Sequence, residues 1–173
     1  MSIFTAPDEP PLPRVGGERR ALEAFLDLYR AALISKCAGL DGEQLARRSV
    51  PPSTLSLLGL VRHLAEVERS WFRRTLDGEG DDTAGPIYYS ADNRDGDFDD
   101  GRPETAAADR DTYLAEVAKA REVAARHELD DTGVHGDDVV DLRWIYLHLI
   151  EEYARHLGHA DLLRECIDGV TEK

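Results

Sequence analysis

The chain of 173 residues has the length of one domain, or of two very small ones at most, and is long enough to bury roughly two-thirds of its unfolded surface. Hydrophobic residues make up 42% and charged residues 32%, a globular composition that excludes a disordered chain. Asp and Glu total 35 against 21 Lys and Arg, a net charge of −14, which argues against a nucleic-acid backbone or an anionic membrane as the main partner; the longest basic runs are the pairs Arg19-Arg20, Arg47-Arg48 and Arg73-Arg74.

Residues 1–16 carry neither a basic n-region nor an apolar h-region and do not read as a signal peptide. They are expected to form a flexible N-terminal segment ahead of one domain over residues 17–173, in a cytoplasmic protein. Helical periodicity starts near Glu18 and runs to Lys36, with Leu22, Phe25, Leu26, Tyr29 and Leu33 at helical spacing. Asp41 can cap a short helix over Asp41–Arg47. Pro51-Pro52 breaks the chain, and Ser53, Thr54 or Ser56 can cap a second long helix ending near Leu76. One side of it holds Leu57, Leu60, Val61, Leu64, Val67, Trp71 and Phe72; the other holds Arg62, Glu66, Arg69 and Arg73. The loop from Asp77 to Pro103 is long enough for the helices on either side of it to run parallel.

A third helix is predicted from Thr105 to about His127, and a fourth from Leu142 to about Ile167, capped by Asp141 and stopped by Gly169. No β pattern of any length is visible, and Ile87-Tyr88-Tyr89 is too short to define a sheet. The prediction is an all-α fold, a four-helix bundle with a long loop between helices two and three. No stretch reaches the ~18 apolar residues of a membrane span. Cys37 and Cys166 lack a CxxC partner and read as buried structural thiols in a reducing compartment. The run from Asp92 to Phe98 resembles part of a calcium loop, but Ala91 and Arg102 stand where carboxylates are needed, so it reads as a solvated acidic loop. Trp71 and Trp144 read most simply as core or interface residues, with a pocket wall as the alternative.

Of the six histidines, His63 lies on predicted helix two and His148, His156 and His159 on helix four, with Glu152 among them. At about 100° per residue, Glu152 and His156 are about 40° apart and stack one turn apart at the border of the apolar stripe. An i, i+4 pair gives two ligands converging on one point, and His63, at the same border of its own helix, can supply a third. Three protein ligands leave a coordination position open, as in catalytic sites. The same spacing also describes an ordinary ion pair on a helix surface, and His148 and His159 lie close enough to that face to be rival ligands.

The run Ser56–Glu68 followed by Trp71 resembles the second helix of the DinB/YfiT-like superfamily, and Arg143–His148 with Glu151–Glu165 resembles its last helix. The nearest likeness is to the actinobacterial branch described as mycothiol S-transferase-like, over about residues 15 to 170. The bias to 18 Arg over 3 Lys, usual in GC-rich genomes, is in keeping with such a source. The resemblance implies one metal held by three residues, which here are His63, Glu152 and His156, with His148 and His159 as neighbours of the site. It further implies a homodimer, and mycothiol as a thiol cosubstrate.

The function expected is activation of a low-molecular-weight thiol by a divalent ion for S-transfer to an electrophilic small molecule. Zinc stands first, with nickel, manganese and iron as alternatives, because the carboxylate ligand weakens the Lewis acidity of the ion. A hydrolase using the same ligands and a non-enzymatic ligand-binding protein are the competing readings. Glu66 and His159 are candidate general bases, and Arg62 or Arg155 could offset the charge of an anionic thiol.

Overall fold

The computed structural model describes residues 2–171, so the outer ends of the expected N-terminal segment and domain, residues 1 and 173, lie outside it. The first helix, α1 (Glu18–Cys37), buries Leu26, Leu33 and Cys37 together with Arg30. A single turn, α2 (Gly42–Leu45), is held by a capping box: Gln44 N–H donates to Asp41 Oδ1 at 2.9 Å, and Asp41 N–H donates to Gln44 Oε1 at 3.1 Å. Of the three candidate caps, Ser56 starts α3 (Leu57–Glu68), its hydroxyl accepting from Gly59 N–H at 3.0 Å. Every residue of α3 except His63 is buried. The side carrying Arg62 and Glu66 is therefore no solvent face, because the long loop packs over it.

From Arg69 to Leu76 the same helix widens to π geometry, and Asp77 N–H donates to the Phe72 carbonyl five residues back at 3.1 Å. The long loop contains two short turns, α4 (Asp81–Ala84) and α5 (Gly96–Asp99), and a 3₁₀ turn at Pro103–Thr105 leads into α6 (Ala106–Ala124). The last helix, α7 (Leu142–Asp168), begins where the Asp141 carboxylate accepts from Trp144 N–H at 2.7 Å and ends before Gly169.

Side-chain pairs give the helix directions. Arg62 meets Asp109 at 3.1 Å and Arg69 meets Glu116 at 2.5 Å, so α3 and α6 run parallel, as the loop length suggested. Arg143 meets Glu18 and Lys36 meets Asp161, both at 2.7 Å, so α1 and α7 are also parallel. Arg121 pairs with Asp27 at 2.8 Å while Arg19 donates to the His127 carbonyl at 2.6 Å, which sets α6 antiparallel to α1.

Two sequence expectations are corrected. A hairpin of β1 (Thr132–His135) and β2 (Asp138–Asp141) is present although no strand was expected. Its strands are four residues each, too short for an alternating pattern to register. Gly136 at φ +61° takes the first position of the two-residue turn, where a side chain would be strained. Cys37 is buried, but Cys166 is exposed near the end of α7. Burial pushes the Cys37 thiol up to about 12, so it stays protonated and inert at neutral pH.

Ahead of α1, Phe4 is buried, and Ile3 N–H donates to the Leu40 carbonyl at 3.2 Å, so the N-terminal segment has one anchored point. Among the described residues no helix is long and apolar enough to cross a membrane.

One ion pair lies deepest in the core. Glu68, fully buried, accepts from Arg30 Nε at 2.7 Å, from Arg30 Nη2 at 2.6 Å and from the Tyr153 hydroxyl at 2.7 Å. Tyr113 extends the chain to Tyr153 at 3.0 Å between hydroxyl oxygens. Burial, then the Glu68 charge, raises the Tyr153 phenol well above its ordinary range, so it keeps the proton it donates. Removing one partner of such a pair strands the other charge. Arg30→Ala is expected to lower stability by about 3–5 kcal/mol, read as a fall in urea midpoint at constant m. Glu122→Ala, which breaks an exposed pair with Lys119, is expected to change it by less than about 0.5 kcal/mol.

Candidate functional site

His63 is the one residue of α3 left partly open, and α5 covers it. Gly59 sits one turn earlier on α3. A Cβ there would meet the Phe98 carbonyl oxygen at 2.6 Å, so only glycine lets α5 lie this close. Arg62 clamps the same turn, donating to the Asp97 carbonyl at 3.0 Å, the Gly96 carbonyl at 2.9 Å and Asp109 Oδ1 at 3.1 Å. Its guanidinium also lies 3.9 Å from the centre of the Tyr88 ring.

These contacts deliver Asp97 to His63. Asp97 Oδ2 stands 2.8 Å from His63 Nδ1, and Phe98 stacks on the imidazole at 4.2 Å between centroids. A carboxylate only accepts, so Nδ1 carries the proton and the Nε2 lone pair faces the other way. There it meets α7: His63 Nε2 is 3.8 Å from Glu152 Oε2, and His156 Nε2 is 3.4 Å from the same oxygen. Each of His63, Glu152 and His156 offers one donor atom, all within 4.8 Å of one another. A tetrahedron with bonds of about 2.0–2.2 Å has edges of about 3.3–3.6 Å, so the two nitrogen–oxygen separations are near those of a zinc-type N₂O donor set.

The surroundings favour that role. Arg155 donates to Glu152 Oε1 at 3.3 Å and pairs with Glu151, which leaves Oε2 turned toward the histidines. His156 is buried, its Nδ1 3.3 Å from Nδ1 of His159. Burial first, then the electrostatic influence of His63, His159 and Arg155, lowers its pKa from the usual 6.5 to about 3, so it is a neutral imidazole at pH 7, the form that ligates.

His159 thus touches the cluster only through His156. His148 lies one turn before Glu152, and with Glu151 and Glu152 it forms a second group of donor atoms within 4.8 Å, although Glu151 is exposed and already paired with Arg155. Burial lowers the pKa of His148 below its usual value.

Three expectations from sequence are corrected here. Glu66 is no free base: its Oε1 accepts from Ile87 N–H at 2.7 Å and Tyr88 N–H at 2.6 Å, anchoring the long loop. Arg62 is committed to α5 and Asp109, and Arg155 to Glu151 and Glu152, so neither is free to neutralise an anionic thiol. The acidic stretch is not wholly solvated, because Asp97 is buried against His63. Sequence reasoning missed Asp97 because it lies 34 residues from His63 in a loop crowded with exposed aspartates, where no spacing rule marks it.

The shift at His156 has a sign. Between pH 6.5 and pH 3 the unfolded chain binds a proton that the folded chain refuses, so stability falls as pH drops through that window. Metal-free His156→Gln protein is expected to lose less stability between about pH 6.5 and 4 than metal-free wild type in urea titrations; equal losses would contradict the assignment.

Residues 21–169, most of the chain, match the family model described as Mycothiol-S-transferase, and the chain belongs to that family. No curated protein matches it.

Proposed function

We propose that this member of the Mycothiol-S-transferase family is a metal-dependent enzyme that transfers a low-molecular-weight thiol, mycothiol, to an electrophilic small molecule. The helices are read as a four-helix bundle of the DinB/YfiT-like type, with His63 on its second helix and Glu152 and His156 on its last as the residues that hold one divalent ion. The observation that carries this reading is the convergence of those three donors, with the proton on His63 Nδ1 fixed by Asp97. The family match supports the thiol and the transfer. Zinc suits a set of two imidazoles and a carboxylate, with nickel, manganese and iron as alternatives. A cytoplasmic homodimer belongs to the same reading and rests on the resemblance and the sequence alone.

When bound, such an ion would supply acidification of a coordinated group: a thiol with a pKa near 8.5 loses its proton, and the thiolate is the nucleophile. The chain's own residues prepare for this. Asp97 holds His63 in the Nδ1–H tautomer, as outer carboxylates do for ligating histidines. Arg155 fixes the rotation of Glu152. Phe98 covers one face of His63. In the transfer, sulfur forms a new bond to the electrophilic carbon. The electron pair of the broken bond departs with the leaving group, or in an addition settles on the acceptor, which takes up a proton. The thiol proton passes to solvent, and no oxidant or reductant is needed.

Loss of free mycothiol in the presence of a panel of electrophiles tests the reading, with chelated and zinc-restored protein run side by side. Thiol consumption is expected only in restored protein and is expected to fall at least tenfold in Glu152→Ala. Turnover of an ester or amide without any thiol would instead favour the hydrolase. Asp97→Ala is expected to weaken metal affinity by about 10–100-fold with helical circular dichroism unchanged. His148→Ala is expected to leave metal affinity within about threefold. The reverse order would mean that the ligands lie on the other group, His148, Glu151 and Glu152.

A further inference from the structure

An S-transfer joins two molecules, and two grooves of different character lie near the donor cluster. One, of about 750 Å³, is lined by His63 itself and by polar groups of the long loop, among them Ser90, Arg94 and Asp97. The other, of about 550 Å³, opens where the π-helical segment, the hairpin and the first turns of α7 meet, and its walls include Trp71, Val139, Val140, Trp144 and Leu147. We propose that this second groove binds the uncharged aromatic ring of the electrophile, a proposal that rests on the S-transferase reading for the reaction but not for the binding.

The aromatic wall is ordered. Trp71 stacks on His135 at 4.4 Å and 22°, and its centroid lies 5.1 Å from that of Trp144. His148 stacks on Trp144 at 5.0 Å and 11° and meets Trp71 edge-on at 4.6 Å. A donor atom of His148 is in turn within 4.8 Å of the Glu152 carboxylate, so a single side chain separates the wall from the donor cluster. Of the readings open to Trp71 and Trp144 from sequence, the pocket wall is the one that suits Trp144, which is 43% exposed. Leu147 is 54% and Val139 68% exposed beside it, so three apolar side chains open to water gather at one groove. A flat ring gains stacking and dispersion from such a wall.

Charge selects against an anion. Asp138 and Asp141 stand on the lining, and Arg143 beside them is already bonded to Glu18 and Asp130, each at 2.7 Å, and lies 3.5 Å from Asp141 itself. A carboxylate-bearing ligand would meet carboxylates of its own sign and a guanidinium already shared among three of them.

The chain has two tryptophans, both in this wall, so intrinsic emission reports the site directly. The test titrates chelator-treated protein, without thiol, with 4-nitrobenzamide and with 4-nitrobenzoate, a matched neutral and anionic pair. Saturable quenching by the amide is expected, with at least tenfold weaker apparent affinity for the carboxylate. Leu147→Glu is expected to weaken the amide at least tenfold, while Leu162→Glu, on an exposed site farther along α7, is expected to leave it unchanged. Linear, non-saturating quenching, equal or tighter binding of the carboxylate, or indifference to Leu147→Glu would overturn the proposal. Metal and thiol are absent from the measurement, so a failure here is separable from a failure of the S-transferase reading.

Discussion

A guanidinium and a carboxylate locked together in the core hold the helices at fixed settings. Arg30 of α1, Glu68 of α3, Tyr113 of α6 and Tyr153 of α7 meet in one hydrogen-bonded chain, and Glu68 has no exposure at all. A carboxylate survives there only because it accepts three short hydrogen bonds, two of them from a cation. The geometry reaches the candidate site through neighbours in sequence. Tyr153 follows Glu152 directly, and Glu68 lies five residues beyond His63 on the same helix. Docking Tyr153 on Glu68 therefore sets both the height and the rotation of α7 against α3, turning Glu152 toward His63.

The second constraint comes from the long loop, and it acts on two adjacent residues of α3. Arg62 seizes backbone carbonyls of α5, and His63 takes the Asp97 side chain from the same turn. Gly59 leaves the room for this, and Glu66 anchors the loop's earlier part. The burial of the whole of α3 except His63 follows: core on one side, loop on the other, with one imidazole left at the seam. A loop that looked like a solvated acidic connector thus orients a donor of the cluster.

How much of this the sequence revealed depends on how local each signal is. The long helices, the caps Asp41 and Asp141, Ser56 as one of three candidate caps, and the stop at Gly169 were legible because helical periodicity and capping are written within a few residues. The Glu152–His156 pair was legible for the same reason. His63 was legible as a possible third donor from its place at the border of its own helix, but the choice of it over His148 and His159 rested on resemblance, since periodicity left rivals open. Asp97 was invisible because its partner is far away in sequence. The hairpin strands are too short for a pattern, and the π widening after Glu68 breaks the 3.6-residue period that would place Trp71 and Phe72 on one face.

The central claim is that His63, Glu152 and His156 hold one divalent ion. Elemental analysis of tag-free protein purified without chelators, beside His63→Ala, tests it most directly. Near one equivalent of zinc, nickel, manganese or iron in the wild type and little in the variant is the predicted result. No metal in either protein after incubation with divalent ions, or equal metal in both, would contradict it and leave the histidines as ordinary residues of a helical ligand-binding protein.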